Sequence, residues 1–399
     1  MIKFISDVND SLYFGKTVFV RVDFNVTIKN GHIGEDFRIR MSIPTIDYLI
    51  KRNCKVVLAS HLGRPKGKRD DMYSLRPVSI RLSEILPKTN VKFVNDCVGD
   101  DVKTAINNLK NSEILLLENL RFHEDEEYND PEFSKELSSY SDIYINDAFS
   151  TSHRKHSSTY GAATLFETKL GGFNLKKEIE YLTMIKEKPQ RPFTLIIGGV
   201  KIKDKIGALE NLLPKADKIL IGGAAAYTFL KAKGFETGES IIDDEHLKWV
   251  SKSLHKYGEK IFLPSDHIVS KSPESSTSNI CKGNIPKDMS GFDIGHETIA
   301  EYSKHIGSNN HGTIFWNGPM GFFERDLFSN GTIQIAKSMA LAYWRGSTTL
   351  VGGGDTLEAI KRSSVSESEV SHVSTGGGAT LRYLAGDKMP GLIILEEEI

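Results

Sequence analysis

No stretch of this sequence approaches the ~20 consecutive apolar residues that a membrane-crossing helix needs, so a membrane partner is not expected. Charge of one sign is missing too. Lys and Arg number 51 against 52 Asp and Glu, a net charge of -1, which leaves no global attraction to nucleic acid or to an anionic surface. Any anion site must be a local cluster. Cysteine is scarce: Cys54, Cys97 and Cys281 are far apart and form no C-x-x-C. That spacing speaks against a disulfide framework and against a zinc site, and it fits a reducing cytoplasm. Asp7 and Asp10 fall where an export signal would need its apolar run, so export is not expected. The sequence also lacks a repeat of 20–50 residues and a G-x-x-x-x-G-K-[ST] phosphate loop.

What is present is alternation. Short runs rich in Val, Ile and Leu recur at 17–22, 55–59, 113–117, 142–145, 193–197, 218–221, 313–316 and 348–351. Most are apolar throughout, as strands covered on both faces are. Amphipathic stretches lie between them at 43–51, 101–110, 131–140, 203–213, 243–257 and 329–343. Strand alternating with helix predicts an α/β chain with parallel sheets in three α/β/α layers. With 399 residues, two domains are expected. The first runs over 1–172 and the second over 189–384. A Lys- and Glu-faced helix over 173–188 would connect them, and 385–399 would form a terminal segment. The run 362–374, with six serines, reads as a solvated loop before a short strand.

Nearly every predicted strand ends in a polar or glycine-rich tag. In the first half these are RVDFN from Arg21, SHLGRP from Ser60, ENLRFH from Glu118 and NDAFSTSHRKH from Asn146. Ligands of open α/β sheets sit outside the carboxyl ends of the strands. The tags therefore gather Arg21, Arg38, His61, Arg64, Arg121, His123, Arg154 and His156 at one rim, where guanidinium forks suit a small, highly charged anion. Bland readings compete residue by residue. A single loop arginine is usually solvated. Arg21 alternates with valines and suits a structural salt bridge. His123 and the acids 124–127 suit a solvated face better than a metal site. Asp23 could be a turn residue. Four basic tags together still argue for a phosphate pocket.

The second half offers GGVKIKDK from Gly198, GGAAAYTF from Gly222, WNGPMG from Trp316, GGGDT from Gly352 and STGGG from Ser374. Glycine lets backbone approach a phosphate, and a helix N-terminus favours an anion. Lys201 and Lys205 would share a helical face if the helix begins before Lys201. Asp355 could ligate Mg²⁺. Equally, Asp355 to Glu358 spells D-x-x-E, a helix cap with no metal. Three glycine-rich junctions point to a nucleotide.

These tags, in this order and over essentially the whole chain, resemble phosphoglycerate kinase. The resemblance implies two Rossmann-like domains joined by a hinge helix, and reversible in-line phosphoryl transfer on domain closure between 1,3-bisphosphoglycerate and MgADP, giving 3-phosphoglycerate and MgATP. It implies that Asp23, Phe24, Asn25, Arg38, His61, Leu62, Gly63, Arg64, Arg121 and Arg154 hold the glycerate. Gly199, Lys201, Lys205, Gly223, Gly291, Asn317, Pro319, Glu324, Gly353, Gly354, Asp355 and Thr356 would hold the nucleotide, with Asp355 on Mg²⁺. Arg38, Lys201, Lys205, Gly376, Gly377 and Gly378 would surround the group in flight. It further implies a cytoplasmic monomer and a hinge contact between Glu178 and His372. Thr27, Ser150, Ser152, Val200 and Arg382 depart from the family's usual residues. Two other readings stay open at this point. One is a kinase for a different acyl phosphate, which would have no second phosphate to grip. The other is a nucleotide-binding protein with a decayed site.

Overall fold

The computed structural model describes residues 1–29 and 31–396; the end of the expected terminal segment, 397–399, lies outside the described residues. The chain forms two compact units. One comprises residues 1–180 with the C-terminal residues from Lys388 onward, the other Tyr181–Asp387.

In the first unit six parallel strands form one sheet, in the order Val91–Phe93, Ile114–Leu116, Lys55–Ala59, Thr17–Arg21, Ile143–Asn146, Thr168–Gly171. Thr17–Arg21 is central because Val18, Phe19 and Val20 are fully buried, as a strand covered on both faces must be. It is also where the strand order reverses. Such a switch point opens a crevice at the carboxyl ends of the strands. The RVDFN, SHLGRP and NDAF tags leave from it.

The second unit repeats the plan, with Ile261–Phe262, Lys218–Ile221, Phe193–Ile197, Thr313–Asn317, Thr348–Gly352 and His372–Ser374 in order, all parallel. Its switch strand is Phe193–Ile197, entirely buried. The GGVK, GGAAA and WNGP tags flank it. Sequence periodicity does not predict the three-stranded antiparallel sheet of Asp266–Ser270, Asn279–Lys282 and Ser290–Ile294. Two of its strands carry polar residues and burial that does not alternate cleanly.

Some helix starts differ from expectation. The helix expected from 43 begins at Phe37 and runs to Ile50 with Pro44 inside it. The one expected from 203 begins at Ile206, after a 3-10 turn Lys203–Lys205. Phe173–Glu187 is helical. Its first turn donates Asn174 N–H to Asp147 Oδ1 at 2.9 Å and Leu175 N–H to the same oxygen at 3.1 Å. The C-terminal residues pack into the first unit: Ile2 bridges Glu396, and Gly391 N–H donates to Ser152 O at 2.9 Å.

Two departures from the family pattern acquire physical reasons here. Arg382 is exposed in the last turn of the helix Gly378–Ala385, where a cation meets the negative end of the helix dipole. Ser152 is fully buried and accepts from Asn146 Nδ2 at 3.1 Å.

Candidate functional site

The rim of the first sheet is built on buried polar side chains. Arg21, at the end of the central strand, is 1% exposed. It donates to Ser158 Oγ at 2.8 Å, to Val22 O, and from Nη2 to His61 Nδ1 at 3.2 Å. The structural role expected for it is therefore filled by hydrogen bonds. Ser158 in turn donates from Oγ to Glu126 at 2.6 Å, and Ser158 N–H donates to the same carboxylate at 2.9 Å. Glu126 is fully buried, so the acidic run after His123 is not a wholly solvated face. The helix Glu124–Tyr128 turns this one acid inward.

Asp23 is locked from three sides. Arg38 Nη1 contacts its Oδ2, Ser150 Oγ donates to Oδ2 at 2.6 Å, and Asn25 N–H donates to Oδ1 at 3.1 Å. Ser150, another departure from the family pattern, thus joins the site's own network. Phe24 is buried, with its N–H on Ser60 Oγ at 2.9 Å. Asn25 Oδ1 accepts Gly63 N–H at 2.9 Å. Leu62 is clamped by Asn119, which accepts its N–H at 3.1 Å and donates to its carbonyl at 2.7 Å. Gly63 has φ +61, and a Cβ there would meet the Tyr73 ring at 2.3 Å. Arg64 is exposed. Neither Asn119 nor Glu126 stood out in the sequence, because an amide or acid beside an arginine carries no sign of what it will clamp.

Arg121 is 3% exposed. Its Nη1 donates to Gly63 O at 2.7 Å. Its Nε lies 3.1 Å from Glu127 Oε1, an ion-pair contact without hydrogen-bond alignment. Its Nη2 is buried with no hydrogen-bond partner among the described residues. Burial, with Arg154 and Arg21 adding to it and Glu127 opposing, pulls its pKa down to about 10. The same field acts on two histidines. Burial, then Arg21, Arg121, Arg154 and Arg38, holds His61 well below its ordinary value. Burial, then Arg121, Arg154 and Arg21, takes His156 down to about 3. A buried donor without an acceptor is costly, and clustered guanidinium groups repel. An anion relieves both.

The second rim is a wall of backbone. Gly198 N–H donates to Asn317 O at 3.0 Å, Gly199 N–H to Pro319 O at 2.7 Å, and Gly223 N–H to Met320 O at 2.8 Å. Gly223 has φ +60, and a Cβ there would meet Gly199 N at 2.5 Å, so only glycine lets these three loops touch. Asn317 Nδ2 donates to Gly352 O at 3.0 Å and Thr356 Oγ1 accepts Gly318 N–H at 2.8 Å. Both side chains are buried and tie the wall together. A cleft of about 440 Å³ opens on it, lined among others by Gly199, Gly223, Gly291, Pro319, Glu324 and Asp355. Gly291 N–H donates to Ser240 Oγ at 2.9 Å, and exposed Val200 also lines the cleft.

Lys201 precedes the 3-10 turn, so the two lysines do not share a helical face. Lys205 Nζ lies 3.5 Å from Lys201 O, and burial lowers its pKa against the pull of Asp204 and Asp355. Gly353 has φ +99 and caps the helix Gly354–Arg362 without any side-chain hydrogen bond. Asp355 stands inside the first turn and is exposed, so the D-x-x-E sequence does not form a capping box. Its carboxylate suits Mg²⁺, which takes one or two carboxylates and fills its shell with phosphate oxygens and water. Gly376 and Gly377, the latter at φ +54, lead into the helix Gly378–Ala385. The first N–H groups of a helix have no partner within it.

Comparison with known proteins identifies the family. The family model described as phosphoglycerate kinase matches residues 8–387. A phosphoglycerate kinase from Anaeromyxobacter sp. (strain K) is 45% identical over 391 residues, 96% of this chain and 97% of its own. One from Dictyoglomus turgidum is 46% identical over 401 residues, 99% of each. The solved phosphoglycerate kinase of Coxiella burnetii superposes with a TM-score of 0.84 at 36% identity, covering 99% of both chains. That of Pyrococcus horikoshii OT3 gives 0.86 at 31%, covering 99% of this chain and 98% of its own. The chain belongs to the phosphoglycerate kinase family: it is a glycolytic phosphotransferase with a carboxyl group as acceptor.

Proposed function

We propose that the two rims divide the reaction between them. The first domain, 1–172 with 385–399, holds 3-phosphoglycerate or 1,3-bisphosphoglycerate. His61, Arg64, Arg121 and Arg154 grip the 3-phosphate, while Asp23, Asn25 and Arg38 meet the glycerate and its carboxyl end. The second domain, 189–384, holds ADP or ATP in the cleft beside Gly291 and Glu324. Its triphosphate end meets Lys201, Lys205, Gly353 and Gly354, with Mg²⁺ on Asp355. The helix over 173–188 connects the two.

The observation that supports this most strongly is the unpartnered Nη2 of buried Arg121 among Arg21, Arg154 and two histidines held neutral. Such a pocket suits a phosphate that stays on the substrate through the reaction, and acetate or an amino acid carries no second phosphate to grip. An acyl phosphate already carries a good leaving group, so no covalent enzyme intermediate is needed. Catalysis then consists of aligning donor and acceptor and balancing charge on the transferring group. Arg38, Lys201 and the N–H groups at 376–378 supply that balance. Mg²⁺, when bound, neutralises nucleotide phosphate charge. Exclusion of water at the moment of transfer protects the acyl phosphate.

Three free thiols and the lack of a membrane-crossing helix among the described residues support a cytoplasmic enzyme; a monomer is expected from the family. Calorimetry with 3-phosphoglycerate and with glycerate tests the pocket. Loss of the phosphate should weaken binding by roughly a hundredfold or more, since each charge-assisted hydrogen bond contributes about 1.5–3 kcal/mol. Equal affinities would contradict the assignment.

A further inference from the structure

The first unit contains a second cluster of chemistry, in the loops that follow two neighbouring strands. Val91–Phe93 leads to Asp96 and Cys97. Ile114–Leu116, paired with it in parallel, leads through the 3-10 turn Leu120–Phe122 to His123. One ligand atom each from Asp96, Cys97 and His123 lies within 4.8 Å of the other two. His123 Nε2 stands 2.7 Å from Asp96 Oδ1. The Phe133 ring packs beside the imidazole, with centroids 5.4 Å apart. Cys97 is 1% exposed, while His123 and Asp96 are partly open. A concavity of about 460 Å³, lined by the acids Asp125, Asp130, Glu132 and Glu136 and by Lys103 and Lys135, opens at His123. The nearby cation Lys103 is paired with Glu136 at 3.1 Å.

We propose that Asp96, Cys97 and His123 form a binding site for a thiophilic divalent cation, with its fourth position on the partly open His123 side. Carboxylate, thiolate and imidazole are the donor types that zinc takes, and three protein ligands with one open position is a recurrent zinc arrangement. Magnesium is not the occupant, since it prefers oxygen donors throughout. Tetrahedral bonds of about 2.0–2.1 Å to nitrogen and oxygen set those two atoms roughly 3.3 Å apart. The Asp96–His123 contact therefore has to widen by only ~0.6 Å, and the proton shared by that pair and the Cys97 thiol proton are both released to water as the cation binds. The lack of C-x-x-C excludes a zinc site made by one short segment. It does not exclude one assembled by parallel strands that place distant loops side by side.

The test uses the full chain, stripped of metal and free of nucleotide. Zn²⁺ is titrated against a chromogenic chelator, and Co²⁺ serves as the optical probe. The expected result is one zinc per chain whose affinity is unchanged in Asp355→Asn and in Cys281→Ser. Cys97→Ser and His123→Gln should each weaken it by roughly a hundredfold. The Co²⁺ form should show a sulfur-to-metal charge-transfer band in the near ultraviolet that disappears in Cys97→Ser. If Cys97→Ser does not fold, His123→Gln and the wild-type Co²⁺ band decide. No zinc binding by the wild type, zinc binding indifferent to both substitutions, or a Co²⁺ complex without the band would each overturn the proposal and leave a plain Asp–His ion pair.

Discussion

Arg21 Nη2 donates to His61 Nδ1 at 3.2 Å, and an arginine can only donate. The Nδ1 of His61 is therefore an acceptor, and the neutral ring carries its proton on Nε2. The folded pKa of His61 lies well below its ordinary 6.5, and His156 falls to about 3. Below about pH 6.5 the unfolded chain binds protons at these histidines that the folded chain refuses. Stability is lost as pH falls through that window, by at most about 1.4 kcal/mol per pH unit for each histidine. Asp147, raised by burial to about 7, and Asp293, raised to about 8, act in the opposite sense. The comparison with variants isolates the histidines. His61→Gln and His156→Asn should each flatten the acid side of the urea-unfolding profile between pH 7 and 5. Profiles parallel to the wild type would show that these rings are not held neutral.

Arg38→Ala should act on turnover. Its guanidinium is held against Asp23, which in turn is fixed by Ser150, so it is aimed before substrate arrives. By analogy with arginines that stabilise phosphoryl transfer, kcat should drop roughly 10³-fold. Steady-state kinetics check this, and a fall of under about tenfold would remove Arg38 from the transfer step.

How much of this was legible beforehand follows from what kind of signal each part leaves. Strands such as Phe193–Ile197 and Lys218–Ile221 were readable because burial on both faces writes a continuous apolar run. The rims were readable because a parallel sheet puts every strand's carboxyl end on one side, so the tags had to converge. The inward turn of Glu126 was not readable, because helix phase within an acidic run has no apolar marker. The D-x-x-E at Asp355 was ambiguous in sequence, since a cap and a ligand use the same residues. Gly353 resolves it by taking the capping position itself.

Arg64→Ala and Arg154→Ala should separate the two ligands. Both residues belong to the first unit, so each variant should weaken 3-phosphoglycerate about tenfold or more, the loss of one charge-assisted contact. ADP affinity should stay within about twofold. Calorimetric titration with each ligand reads the outcome, and equal losses would contradict the division of labour.

Asp355→Asn keeps size and helix propensity. Because Asp355 makes no capping hydrogen bond, thermal stability should change by under about 0.5 kcal/mol. The apparent Mg²⁺ requirement with ATP should rise at least about tenfold. A normal Mg²⁺ dependence would mean that this carboxylate does not meet the ion.

The reaction assigned to this chain passes phosphate between a nucleotide and the carboxyl end of a phosphorylated glycerate. Purified protein given 3-phosphoglycerate, ATP and Mg²⁺, with the acyl phosphate consumed by a coupled reductive dehydrogenase, measures it directly. Turnover should be on the order of 10 s⁻¹ or faster, strictly dependent on all three components and abolished when glycerate or acetate replaces 3-phosphoglycerate. Absence of turnover, or equal turnover with an acid that carries no phosphate, would contradict it.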